Sequence, residues 1–122
     1  MHNVKDSSEN YLEAIHVLTQ EMGHVRSVDI ANHLDLSRPS VSKAVKKLEE
    51  GGYLVMKEDG GLLLTEDGER IGEEIYERHQ LFKELLVKAG VSEAIAEEDA
   101  CKMEHAIRES SFQKLKAFVE SL

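Results

Sequence analysis

The chain has 122 residues, 41% of them hydrophobic, with one Pro, one Cys and no Trp: enough for one compact domain or two small lobes around a core of Leu, Ile, Val, Ala and Met, and too apolar for a disordered chain. No stretch approaches the roughly 18 consecutive apolar residues of a membrane span, the N-terminus lacks the basic-then-apolar order of a secretory signal, and a lone Cys closes no internal disulfide, so the expected address is cytoplasmic, with no membrane partner. The net charge of −9 argues against nucleic acid until its distribution is read: residues 25–57 carry six Lys/Arg against four Asp/Glu, whereas the rest carries nine against twenty, and a local basic stripe is what phosphate contact requires.

Residues 7–22 are expected to form a first helix, capped by Ser7 or Ser8, with Tyr11, Leu12, Ile15 and Leu18 as its apolar stripe and Gly23 as its end. Ser27 opens a short second helix with Val28, Ile30, Ala31 and Leu34 inward, and Asp35-Leu36-Ser37 is a tight connection. Ser37 is a good N-cap, and Pro39 lies in the first turn that follows, where its missing N–H costs nothing. A third helix runs to about Glu50 with Val41, Ala44, Val45 and Leu48 on one face, and Gly51-Gly52 stops it.

Two short apolar runs, 53–56 and 62–64, flank Asp59-Gly60-Gly61, a hairpin signal. Thr65 caps a long helix over about 66–89, where Ile71, Ile75, His79, Phe82, Leu85 and Leu86 recur at helical spacing. Gly90 ends it. Ser92 caps a further helix over about 93–108, and a last one covers about 111–121.

Helix, short helix, tight turn, basic helix and hairpin make a winged helix-turn-helix, whose third helix enters the major groove while the hairpin follows the backbone. Arg38, Lys43, Lys46 and Lys47 lie within residues 36–47, which hold no acid. Ser40, Lys43 and Lys47 share a face opposite the apolar one, and Ser37 and Arg38 stand at the helix N-terminus, where the dipole favours a phosphate. Ser37, Arg38, Pro39, Ser40, Ser42, Lys43, Lys46 and Lys47, with Lys57 on the hairpin, are the expected DNA-contacting residues. Taken alone, the basic run is equally an ordinary solvated helix surface; the flanking helices and the wing favour DNA.

The segment Ala100-Cys101-Lys102-Met103-Glu104-His105-Ala106 places a thiol, a carboxylate and an imidazole at i, i+3 and i+4, one face of a helix. Together they suit a divalent transition metal. The blander reading makes Cys101 a small buried residue and leaves Glu104 and His105 on the surface. His79 lies on the apolar face of the long helix, and Asn10 and Glu13 stand three apart on the first; three helices each presenting polar groups to one core could close a cage of five or six ligands. His2, His16, His24 and His33 show no ligand spacing. A Cys–His nucleophile pair four apart on one helix, with no Gly-rich turn to build an oxyanion site, does not make an enzyme.

The stretches SENYLEAIHVL, DIANHLDLSRPSVSKAVKKLEEGGYL, GLLLTEDGERIG, ERHQLFKELL and EEDACKMEHAI resemble the diphtheria-toxin-repressor / manganese-transport-regulator family of metal-dependent transcriptional repressors, over about Ser8 to Leu122. The resemblance implies a mostly α fold with a small hairpin: a winged DNA-binding domain over 1–70 and a helical metal-binding and dimerisation domain over 71–122. It implies a homodimer on a palindromic double-stranded operator, with the metal acting as co-repressor where the two parts meet. By position the ligands are Asn10, Glu13, His79, Cys101, Glu104 and His105. The manganese branch has Asp at position 10 and Glu at 101; the iron branch has Met and Cys. At 13 this chain has Glu, as the manganese branch does. One turn after His79, where the iron branch uses an acid, stands Lys83, with Glu84 beside it. The SH3-like domain usual in the iron branch is not expected here. The thiolate of Cys101 favours Fe(II) first, with Mn(II) close behind and Co(II), Ni(II) or Zn(II) possible in vitro. The rival reading is a metal-independent winged-helix regulator that senses a small molecule or thiol oxidation.

Overall fold

The structure is a computed structural model and describes residues 6–122; His2 lies outside them. The chain divides into two compact units, the first ending at Glu73 and the second running from Glu74 to Leu122.

In the first unit, α1 (Asp6–Met22), α2 (Ser27–Leu34) and α3 (Arg38–Glu50) precede a hairpin of β1 (Leu54–Met56) and β2 (Leu62–Leu64). Leu12 and Ile15 of α1, Ile30 of α2, Val41, Val45 and Leu48 of α3, and Leu54 and Leu62 of the hairpin are all buried, so each element gives its apolar stripe to one core. The expected cap of α1 is corrected: the helix already includes Asp6, and Ser7 and Ser8 lie inside its first turn. α2 is entered through Arg26, whose backbone N–H donates to Asp29 Oδ2 at 2.9 Å.

The tight link to α3 is made by Asp35 in the left-handed region at φ 56°, with the Leu36 N–H returning to the Ala31 carbonyl at 3.0 Å. An Asp tolerates this geometry better than most residues. Ser37 caps α3 as expected, its Oγ accepting from the Ser40 N–H at 3.3 Å.

β1 and β2 pair antiparallel, Leu54 opposite Leu64 and Met56 opposite Leu62. Asp59 Oδ1 accepts from the Gly61 N–H at 2.9 Å across the turn. The wing is tied at both ends. The Leu62 N–H donates to the Val25 carbonyl at 2.7 Å, and Glu49 Oε2 at the end of α3 accepts from the Met56 N–H at 2.9 Å.

Thr65 caps α4 (Glu66–Lys88), accepting from the Gly68 N–H at 3.3 Å. α4 starts in the first unit, where two glycines one turn apart let it approach backbone closely. A Cβ on Gly68 would meet the Tyr53 carbonyl oxygen at 2.0 Å, and one on Gly72 would meet that of Leu12 at 2.7 Å. His16 on α1 bonds Glu69 between them.

The second unit holds the rest of α4, α5 (Glu93–Met103) and α6 (Glu109–Glu120). Phe82, Ala100 and Phe112 form its core, with Leu81, Ile107 and Leu115 packed against them. The two rings meet edge to face, centroids 5.9 Å apart. Two expected boundaries move here: α5 ends at Met103 rather than near 108, and the last helix spans Glu109–Glu120 rather than 111–121. The ladder breaks where the Ala106 N–H turns back to the Met103 carbonyl at 3.1 Å, and in the turn that follows Arg78 Nη1 donates to the Glu104 carbonyl at 2.9 Å. Arg108 then adopts an extended conformation and opens α6.

Candidate metal centre and nucleic-acid interface

Every expected DNA-contacting residue, from Ser37 to Lys47 on α3 and its cap and Lys57 beyond β1, is exposed. The first turn of α3 has no acid. Arg38, Lys43, Lys46 and Lys47 stand in no ion pair among the described residues, so their charges face solvent unneutralised. Ser37 Oγ and Ser40 Oγ bond each other at 2.8 Å at the mouth of the helix, where Pro39 has no N–H and that of Ser40 is taken by the cap. Lys57 sets the hairpin turn, its N–H donating to the Gly61 carbonyl at 2.8 Å. The helix is thus rigidly capped, held at its far end by the wing, and basic on its open face.

In the second unit, Cys101 and Glu104 gather on one nitrogen of His79, and His105 stands at the other carboxylate oxygen of Glu104. His79 is buried on α4. Its Nδ1 lies 2.8 Å from Glu104 Oε2 and 3.8 Å from Cys101 Sγ. His105 Nε2 stands 3.4 Å from Glu104 Oε1. Cys101 is in the last turn of α5, and Glu104, the residue after it ends, keeps helical dihedrals of φ −62° and ψ −22°. Asn10 and Glu13, also expected, lie three apart on α1 in the first unit, both half-buried.

Glu104 is fully buried, and its Oε1 has no hydrogen-bond partner among the described residues. A buried carboxylate oxygen left this way is costly, because its desolvation is met only by the His105 Nε2 contact at 3.4 Å, which makes no hydrogen bond. A cation would repay it. Thiolate, imidazole and carboxylate are also a donor set that suits a divalent transition metal, so the residues fit such an ion.

The electrostatics without metal follow from the same contacts. The bonds to Cys101 and Glu104 push the His79 imidazole up to about 11 against the opposing effect of burial, and Glu97 adds to the rise. Both ring nitrogens face carboxylates.

Glu97 was not among the residues expected from the sequence. Its Oε1 lies 2.9 Å from His79 Nε2, and its Oε2 lies 3.0 Å from Lys83 Nζ. Burial works to raise its carboxyl, but the bonds from Lys83 and His79 hold it below its ordinary value. The available signal was spacing. Glu97 precedes Cys101 by four on α5, as His79 precedes Lys83 by four on α4, which places each pair on one helix face. Arg78, which donates to the Glu104 carbonyl just past α5, was missed too; it sits buried over the Phe112 ring, 5.9 Å from its centroid.

Two family profiles match the chain in tandem. One, described as the N-terminal DNA binding domain of iron dependent repressors, covers residues 3–62; the other, described as their metal binding and dimerisation domain, covers residues 65–122. The transcriptional regulator MntR of Escherichia coli O6:H1 is 38% identical over 112 residues, which span 92% of this chain and 72% of that protein. Among solved structures, the manganese regulator SloR aligns with a TM-score of 0.80 at 27% identity over 93% of this chain. A manganese-dependent transcriptional repressor solved with manganese aligns at 0.79 and 25% over the same share. The chain spans about half the length of these two solved relatives, 53% and 52%.

Proposed function

Because the chain belongs to the diphtheria-toxin-repressor / manganese-transport-regulator family of iron-dependent repressors, we propose that it is a DNA-binding transcriptional repressor of metal homeostasis, acting in the cytoplasm and gated by a divalent transition metal. The observation that carries the metal reading is the fully buried Glu104 carboxylate, one oxygen against His79 beside Cys101 and the other without a hydrogen bond among the described residues. No catalytic step belongs to this reading.

The proposed ligands are His79, Cys101, Glu104 and His105; Asn10 and Glu13 stay in the set on the strength of the resemblance alone. A bound divalent cation supplies the positive charge that these acidic donors lack. His79 contributes a neutral ring nitrogen only after giving up a proton, and Cys101 only as its thiolate, so uptake is coupled to proton release. The sequence placed Fe(II) first because of Cys101. The names of the relatives weigh toward manganese, and we adopt Mn(II) as the physiological ion, with the thiolate raising the affinity for Fe(II), Co(II) and Zn(II).

Residues 1–70 would read DNA and residues 71–122 would bind metal and dimerise. α3 enters the major groove: Lys43, Lys46, Lys47 and Arg38 take phosphates, while Ser40 and Ser42 reach toward base edges, and Lys57 on the wing takes the backbone. A homodimer then meets a palindromic operator whose half-sites lie one helical turn, or a multiple, apart. Gating requires that His79, Cys101 and Glu104 hold the ion more tightly in the DNA-competent conformation than in any other.

The test is selection of binding sites from random duplex DNA by the purified chain in Mn(II), followed by anisotropy titrations of the selected duplex in Mn(II), in anaerobic Fe(II) and in chelator. The expected result is palindromic sites whose binding weakens at least tenfold in chelator and in Glu104→Gln. Equal binding with and without metal would replace this reading with the metal-independent regulator.

A further inference from the structure

We infer that Glu97, anchored by Lys83, is a positioning residue that fixes the His79 ring so that Nδ1, rather than Nε2, faces the metal. The inference rests on the metal reading above and deepens it.

A carboxylate only accepts hydrogen bonds. Glu97 Oε1, 2.9 Å from His79 Nε2, therefore requires the proton on that nitrogen. Glu104 Oε2, 2.8 Å from Nδ1, makes the same demand on the other nitrogen, so without metal the ring carries both protons, and the one given up to an ion that Glu104 and Cys101 also hold is the Nδ1 proton. Nδ1 is the nitrogen that Glu104 Oε2 and Cys101 Sγ approach, at 2.8 and 3.8 Å. The ring is thus held between an outer carboxylate and an inner donor group, the arrangement by which metal-binding histidines are commonly oriented and made more basic.

Lys83 completes the clamp. Its Nζ lies 3.0 Å from Glu97 Oε2 and 3.7 Å from Glu93 Oε1. Each oxygen of Glu97 therefore has its own partner, one a ring N–H and one an ammonium. The ligand-capable atoms of His79, Glu97 and Cys101 all fall within 4.8 Å of one another, so direct ligation by Glu97 is the rival arrangement. It would require Glu97 to release His79 and bring a second cation next to the Lys83 ammonium, where like charges repel.

The experiment uses the full chain and two metals. Zn(II), being diamagnetic, allows the ring nitrogens of ¹⁵N-labelled histidine to be observed by NMR. Co(II) reports affinity and thiolate ligation by its absorption. In the wild type, the His79 Nδ1 should be metal-bound and Nε2 protonated. Glu97→Ala should weaken Co(II) about 10- to 100-fold, the usual effect of removing an outer carboxylate, with the thiolate–cobalt absorption and the stoichiometry unchanged. Glu97→Gln, whose amide oxygen still accepts from Nε2–H, should recover most of the loss, and Lys83→Met should weaken binding in the same direction but less.

Metal bound through Nε2, a changed cobalt spectrum or a lost metal equivalent in Glu97→Ala, or an unchanged affinity would each overturn the inference. Uptake that falls in Glu104→Gln but not in Glu97→Ala keeps the metal site and removes only this inference. A wild type that binds neither ion overturns both.

Discussion

Ser37, Glu104 and Glu97 show how unequally single residues declare their roles. Ser37 is legible because a hydroxyl before a Pro-containing first turn has one efficient use there, and its Oγ does accept from the Ser40 N–H. Ser37→Ala should lower stability by about 1 kcal/mol and Ser37→Gly by a few tenths, measured by urea denaturation, with no change in metal affinity. Cys101, Glu104 and His105 are legible as a group because their spacing is rare and their donor types are complementary; the gathering of Cys101 and Glu104 around His79 follows that spacing. Glu97 is not legible. In a chain with 24 acids, a Glu on a helix is by default a solvated residue, and only the approach of α4 to α5 makes it a partner of His79.

At the scale of elements, periodicity located every helix and both strands, but the ends that depend on distant partners were misplaced. α5 stops at Met103, where the Ala106 N–H turns back to the Met103 carbonyl and Arg78, 26 positions upstream of Glu104, holds the Glu104 carbonyl of the turn that follows. Such a contact leaves no mark in the local pattern. The same holds for Gly68, a site where backbone passes too close for any side chain. Gly68→Ala should destabilise the fold by at least about 1–3 kcal/mol, the usual cost of overpacking. Thermal denaturation would show it as a lowered Tm, despite the better helix propensity of Ala. An equal or higher Tm would mean that α4 shifts freely away from Tyr53.

The wing turn has its own pH dependence. The Gly61 N–H, helped by His24, Lys57 and Arg26, holds the Asp59 carboxyl below its ordinary value of 3.8 despite some desolvation. A carboxyl lowered on folding contributes stability above its unfolded pKa and loses it as the pH falls through the folded one. The turn should therefore stay intact down to about pH 3.8 and loosen below it. NMR of the Gly61 amide should follow the Asp59 titration, and Asp59→Ala should abolish that dependence.

For the molecule as a whole, charge is the quantity that matters most. A chain of net charge −9 binds DNA only where its basic residues are concentrated, and the four on α3 stand exposed without acids in the helix's first turn. Operator affinity should fall steeply with salt, and Lys43→Ala or Lys47→Ala should each reduce the slope of log K against log[salt] by about 1. Metal affinity measured without DNA should be unaffected. An unchanged slope would move the phosphate contacts off α3.

By itself, the sequence determined the winged helix-turn-helix, the basic stripe on α3, the family and the candidate ligands of α5 and α4. All of these depend on residue type at short spacing, through helical and strand periodicity, capping chemistry and charge. Only the tertiary structure decided where α5 ends, why Gly68 and Gly72 must lack side chains, and that Glu97 and Lys83 flank His79. Those depend on atoms that approach within a few ångströms from positions far apart in the chain, and the identity of such neighbours is not written in any local stretch of residues.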